Sequence, residues 1–91
     1  MKYILLFSQQ TEEDLIFHKK SGNKAILKKI IAFLEEIVEH PYSGTGKPEP
    51  LKHDLTGKWS RRINKEHRLV YEVLDDSILL HSARGHYESN K

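Results

Sequence analysis

Residues 24–39 place Leu27, Ile30, Ile31, Leu34, Ile37 and Val38 at the i, i+3, i+4, i+7 spacing of a helix with one apolar stripe. A stripe that long must be covered, so the rest of the chain has to supply a surface for it. His40-Pro41 ends the helix, because the residue before a proline avoids helical angles. Upstream, residues 2–7 read as a short buried strand and Gln9 to Lys20 as a first helix, capped by Ser8 or by Thr11 with Asp14. Ser21-Gly22-Asn23 separates the two helices. Residues 41–57 hold all three prolines and three of the five glycines, which predicts a shaped loop with neither strand nor helix. Beyond it, 59–64, 67–74 and 77–86 read as strands, the last two joined by a tight turn at Asp75-Asp76. In the middle strand Leu69, Tyr71 and Val73 alternate with Arg68, Val70 and Glu72. The predicted order is β-α-α-β-β-β, an α+β fold. Two helices would cover one face of a small, mainly antiparallel sheet and leave the other open to a ligand.

Ninety-one residues make one domain, 1–91, with a small core. Folding a chain of this size removes only about 60 to 65% of its extended surface, so stability is marginal and a covering partner matters. The absence of cysteine excludes disulfides and thiolate metal sites and agrees with a reducing cytoplasm. The apolar run Tyr3 to Phe7 is too short for a signal sequence or a membrane span. A cytoplasmic protein that does not enter membranes is expected.

Charge is segregated along the chain. Between Gly44 and Arg68 stand Lys47, Lys52, Lys58, Arg61, Arg62, Lys65 and Arg68 against three acids, an excess of four positive charges, while the remainder is net −2. Clustered charge stays effective over a Debye length of about 8 to 10 Å, so this segment marks a face for a polyanion, and nucleic acid is the obvious one. Within or near it are the parts needed to cleave a phosphodiester without a metal. Glu49 is a proton acceptor, Arg68 a fixed cation whose planar fork can hold two phosphate oxygens, and His86 an imidazole that can return a proton near neutrality. Tyr87 beside it could orient a phosphate, stack on a base or donate a proton. Adjacent strand residues point to opposite faces, so His86 and Tyr87 share a site only if regular strand geometry ends before them, which Gly85 makes easy. The six histidines have no H-x-x-x-H or Cys/His spacing, so no metal or other cofactor is expected. Trp59, following Gly57 at a strand start, reads as a packing residue.

KPEPLKH, WSRRI, EHRLVY and the closing RGHY stand in the order and at the intervals of the YoeB-type toxins, within the RelE-like ribonuclease superfamily, which the chain resembles over nearly its whole length. The resemblance implies a ribosome-dependent endoribonuclease that enters the A site and cuts mRNA there by attack of the 2′-hydroxyl. It also implies neutralisation by a YefM-like antitoxin, a tendency to homodimerise, and contact with operator DNA only through the antitoxin complex. By position it makes Glu49 the general base, Arg68 the transition-state cation, and His86 and Tyr87 the catalytic pair. Lys52, Arg61 and Arg62, with Lys47 close by, match basic positions that meet RNA phosphates. The chain departs from the family in continuing past His-Tyr through residues 88–91, so its carboxyl terminus is not part of the site.

Two rivals come from other classes. A noncatalytic module of the same fold would block the ribosome and leave message intact, and a relative that poisons gyrase would have no use for Glu49 together with His86.

Overall fold

The computed structural model describes residues 2–85. The elements are β1 (Ile4–Phe7), α1 (Gln9–Lys20), α2 (Lys24–Ile37), β2 (Glu49–Pro50), a 3-10 turn (His53–Leu55), β3 (Lys58–Arg62), β4 (Arg68–Val73) and β5 (Ser77–Ser82). The five strands form one sheet in the order β1-β5-β4-β3-β2. Only the β1–β5 pairing is parallel, and both helices pack on one side. The fold is therefore the predicted α+β arrangement, with one strand more than the sequence predicts.

That extra strand is β2, two residues inside the proline-rich segment predicted to be free of regular structure, and a 3-10 turn follows it. Glu49 pairs with Ser60 and Pro50 with Trp59. Proline is tolerated there because β2 is an edge strand, where an absent N–H costs no ladder bond. β1 also differs from expectation. It is the opposite edge, and Ile4, Leu6 and Phe7 are exposed rather than buried.

Helix α1 begins at Ser8, whose hydroxyl accepts the Thr11 amide at 3.0 Å, so Ser8 is the cap. The helix has little apolar face. It seats on β5 and on Ala83 just beyond it through buried Thr11, Asp14 and His18. Thr11 Oγ1 donates to the Leu80 carbonyl (2.7 Å), Asp14 Oδ2 accepts the Ala83 amide (2.8 Å), and His18 Nε2 bonds the Ala83 carbonyl (2.7 Å). Asn23 caps α2 by accepting the Ile26 amide. The α2 stripe is rotated from its predicted position: Ile26, Ile30, Phe33 and Ile37 form the buried edge, while Ile31 is exposed. Leu27, Ile31 and Leu34 instead face Leu15 and Ile16 across the α1–α2 groove. The core joins the buried α2 edge to Ile63, Leu69, Tyr71, Ile78, Leu80 and Ala83. Each buried Ile, Leu or Phe among them contributes about 1.5 to 3 kcal/mol of hydrophobic burial. Among the described residues no helix is long and apolar enough to cross a membrane.

Candidate functional site

The face of the sheet away from the helices carries the second set of alternating residues. Leu69 and Tyr71 point into the core, so Arg68, Val70 and Glu72 point outward, and their β3 partners across the ladder are Arg62, Ser60 and Lys58. Adding β2 brings Glu49 opposite Ser60. Lys47, Glu49, Ser60, Arg62 and Arg68 line a cavity of about 130 Å³ at this end of the sheet. One carboxylate thus shares a cleft with three permanent cations, on a floor where Ser60 is buried. Lys47 takes a left-handed φ of 51°. For a non-glycine residue that conformation costs roughly 1 to 2 kcal/mol, which the ordered loop around it must offset.

The loop is held from behind by Arg61, one residue along β3 and therefore on the other face. Arg61 is fully buried. Its Nε donates to the Tyr71 hydroxyl (3.2 Å), its Nη1 to Glu36 and to the Thr45 carbonyl (3.1 Å), and its Nη2 to the carbonyls of His40 (2.7 Å) and Ser43 (2.8 Å). All five N–H donors of the guanidinium are thereby used. The Tyr71 hydroxyl in turn donates to the Pro41 carbonyl (2.7 Å), and burial pushes its pKa up. Hydrogen bonds from the Thr45 amide and hydroxyl, together with Arg61, hold the Glu36 carboxyl below the usual carboxylate range, partly opposed by its desolvation. Gly46, at φ 81°, passes where a Cβ would lie 2.6 Å from Phe33 Cζ, and its carbonyl accepts the Arg62 amide at 2.7 Å. These contacts place residues 47–49 at the edge of β3.

Arg68 is oriented by its own turn. Its Nη1 donates to the Asn64 carbonyl (2.9 Å) and its backbone amide to the Gly85 carbonyl (3.0 Å). Of the carboxylates that flank it in sequence, Glu72 is engaged with His81 Nε2 at 2.9 Å, and Glu66 is exposed, its Oε1 3.8 Å from His67 Nε2 and beyond hydrogen-bond reach. Gly85 has φ 74° and β5 ends at Ser82, so regular strand geometry has ceased before residue 86.

Of the residues singled out from sequence, Glu49, Arg68, Arg62 and Lys47 are brought together. Lys52 is exposed at the start of the 3-10 turn and does not line the cleft. Arg61 is a correction. It is enclosed in protein and cannot meet RNA, because neighbouring strand residues face opposite ways and Arg62 has the open side. His86 and Tyr87 lie outside the described residues. Trp59 packs against the core and tilts over Tyr42 with centroids 5.0 Å apart, as a packing residue should. Ser60 was not singled out, although its two-residue offset from Arg62 places it on the same face.

Comparison with known proteins identifies the family. The family model for the YoeB-like toxin of bacterial type II toxin–antitoxin systems matches residues 7–87. Toxin YoeB of Escherichia coli K12 is 47% identical over 83 residues, covering 91% of this chain and 98% of that protein. The YoeB dimer from Staphylococcus aureus superposes with a TM-score of 0.85 at 43% identity, covering 96% of this chain and all of the other. The YoeB–YefM complex from the same organism gives 0.82 at 44% identity, with the same coverage. With its fold and sequence in agreement, the chain belongs to the YoeB-like toxins of bacterial type II toxin–antitoxin systems.

Proposed function

We propose that this toxin is an endoribonuclease that cuts mRNA in the ribosomal A site and so arrests translation. The observation that carries the reading is the single carboxylate, Glu49, in a cleft shared with Lys47, Arg62 and Arg68. A phosphodiester bound there lies among the cations, which balance charge as it builds on the phosphorus oxygens. Glu49 withdraws the proton of the 2′-hydroxyl, whose oxygen bonds to phosphorus as the bond to the 5′-oxygen breaks. His86 returns a proton to that leaving oxygen, giving a 2′,3′-cyclic phosphate and a 5′-hydroxyl. The reading is supported by Gly85, the residue that precedes His86 in the chain, whose carbonyl accepts the Arg68 amide. Tyr87 orients the phosphate or shares the acid's duty. Arg62 and Lys47 hold flanking phosphates, with Lys52 further along the strand path. No step calls for a metal.

The partner that silences the toxin is a YefM-like antitoxin, a reading supported by the S. aureus YoeB seen with YefM. Contact with operator DNA runs through that complex, and a second copy of the chain is a further partner, as in the S. aureus YoeB dimer. The site of action is the cytoplasm, where ribosomes are. Mapping 5′ ends of cellular mRNA after induction tests the proposal: cuts inside codons are expected, relieved by the antitoxin. Glu49→Ala, Arg68→Ala and His86→Ala should each abolish growth arrest while retaining antitoxin binding. Stalled but intact message, or three fully toxic variants, would overturn it.

A further inference from the structure

We propose that His67 is a positioning residue for this cleavage: its imidazole Nδ1 accepts the Gly85 amide and fixes Gly85, the residue before His86 in sequence, against Arg68. The inference rests on the endoribonuclease reading. Its geometry stands on three bonds that close a ring between β4 and the end of the described chain. Gly85 N donates to His67 Nδ1 at 2.8 Å, Arg68 N donates to the Gly85 carbonyl at 3.0 Å, and Arg68 Nη1 donates to the His67 carbonyl at 3.3 Å. One residue therefore contacts both the cation of the cleft and the last anchor before His86.

His67 is supported from α1. Its ring meets His18 edge to face, with centroids 4.7 Å apart and planes at 78°. His18 Nε2 bonds the Ala83 carbonyl, and Asp14 takes the Ala83 amide. Residues 83 and 85 are thus each held by an imidazole, and Arg84 between them lies 3.6 Å over the Phe17 ring. The bond to Gly85 requires an unprotonated Nδ1, because an imidazolium has a donor at both nitrogens. The groups facing His67 are His18 and Asp14 from α1, Glu66 from its own turn and Arg84 from the terminal segment. Burial first, then His18 and Arg84, lower its pKa, against the opposing pull of Glu66 and Asp14. The surroundings keep the ring in the form that the Gly85 bond needs.

The test follows the Gly85 amide of the full chain by NMR, in a Glu49→Gln background that permits expression. Its shift should move in step with His67 titration, and His67→Asn, which keeps an acceptor but cannot titrate, should remove that movement. With ribosomes and message, His67→Ala should lower kcat about tenfold, the worth of one hydrogen bond, and change KM less than about twofold. His67→Asn should recover most of the rate and flatten the acid limb below about pH 6.5. A Gly85 amide indifferent to His67, or a folded His67→Ala protein with wild-type kcat, overturns the assignment. If His67→Ala fails to fold, the amide titration of the intact sequence decides. The amide readout needs no cleavage, so it can fail while the endoribonuclease reading survives, and the Glu49 and Arg68 variants test that reading separately.

Discussion

Arg62 and Arg68 stand directly opposite each other across the β3–β4 ladder, on the open face and at the rim of one cleft. Like charges in directly opposed positions destabilise a sheet by roughly 0.2 to 1 kcal/mol, so the pairing is a cost that folding alone does not explain. An anion between the two guanidinium groups reverses its sign. Arg62→Ala should therefore raise thermal stability slightly while weakening RNA cleavage, and should lower the salt dependence of RNA binding by about one charge. Denaturation curves beside a salt titration check it. A variant that loses both stability and activity would mean that Arg62 has a structural role instead.

Much of this was legible from the sequence. Alternation along β4 placed Arg68 on the face opposite Leu69 and Tyr71, and Glu49, Lys47 and Arg62, set out by motif, line one cleft with it. The rotation of α2 was not legible, because an apolar edge wide enough to cover both a sheet and a neighbouring helix has no unique centre in a one-dimensional pattern. Exposure of β1 was hidden for a related reason: edge position is a property of strand order, and five apolar residues read the same at an edge or in the middle. The RNA-contacting role that the resemblance implies for Arg61 took no account of strand period, which puts Arg61 on the buried face. Its neighbour Arg62 already claimed the open face, and a basic residue one step away had to turn inward. The polar seat of α1 gave no periodic signal, since Thr11, Asp14 and His18 look like surface residues until the β5 carbonyls and amides are placed against them.

Arg61→Ala should be among the most destabilising substitutions in the chain. It strands the carbonyls of His40, Ser43 and Thr45 and leaves Glu36 without its buried partner. Each buried carbonyl left unsatisfied costs about 1 to 3 kcal/mol, so the three together remove a large part of the stability of a domain this small, while the partly exposed Glu36 adds less. Arg61→Lys should rescue little, because an ammonium offers three donors where five are used. Chemical denaturation of both variants, purified with the antitoxin to protect them, measures the loss. A variant with near-normal stability but weakened RNA binding would restore Arg61 to the RNA-contacting set.

Gly46→Ala separates loop placement from chemistry. The new Cβ would lie 2.6 Å from Phe33 Cζ, and the backbone there has φ 81°. Strain at such a position costs of the order of 1 to 3 kcal/mol, and relief requires the loop to move away from Phe33. That movement shifts Lys47 and Glu49 against Arg68. The expected result is a fall in kcat larger than the fall in folded fraction at the assay temperature, with KM little changed. Equal losses of activity and folded fraction would show that the loop unfolds rather than shifts.

Stability against pH should be bounded on both sides by the groups that hold the loops. The folded pKa of His67 is depressed, so between that value and the unfolded value of about 6.5 the unfolded chain binds more protons and stability rises with pH. His67 thus contributes fully above about pH 6.5, and its share is lost as pH falls through its folded pKa. Glu36 follows the same sign at lower pH: its lowered pKa gives stability above 4.5 that is lost as pH falls further. Tyr71 has the opposite sign. Its pKa is raised above 10.0, so the folded state keeps a proton that the unfolded state releases, and stability declines as pH climbs past that value. Melting temperature against pH should show a plateau between the His67 and Tyr71 limits. His67→Asn should extend the plateau on its acid side without moving the alkaline edge, and an acid edge unchanged by that substitution would exclude His67 as its source.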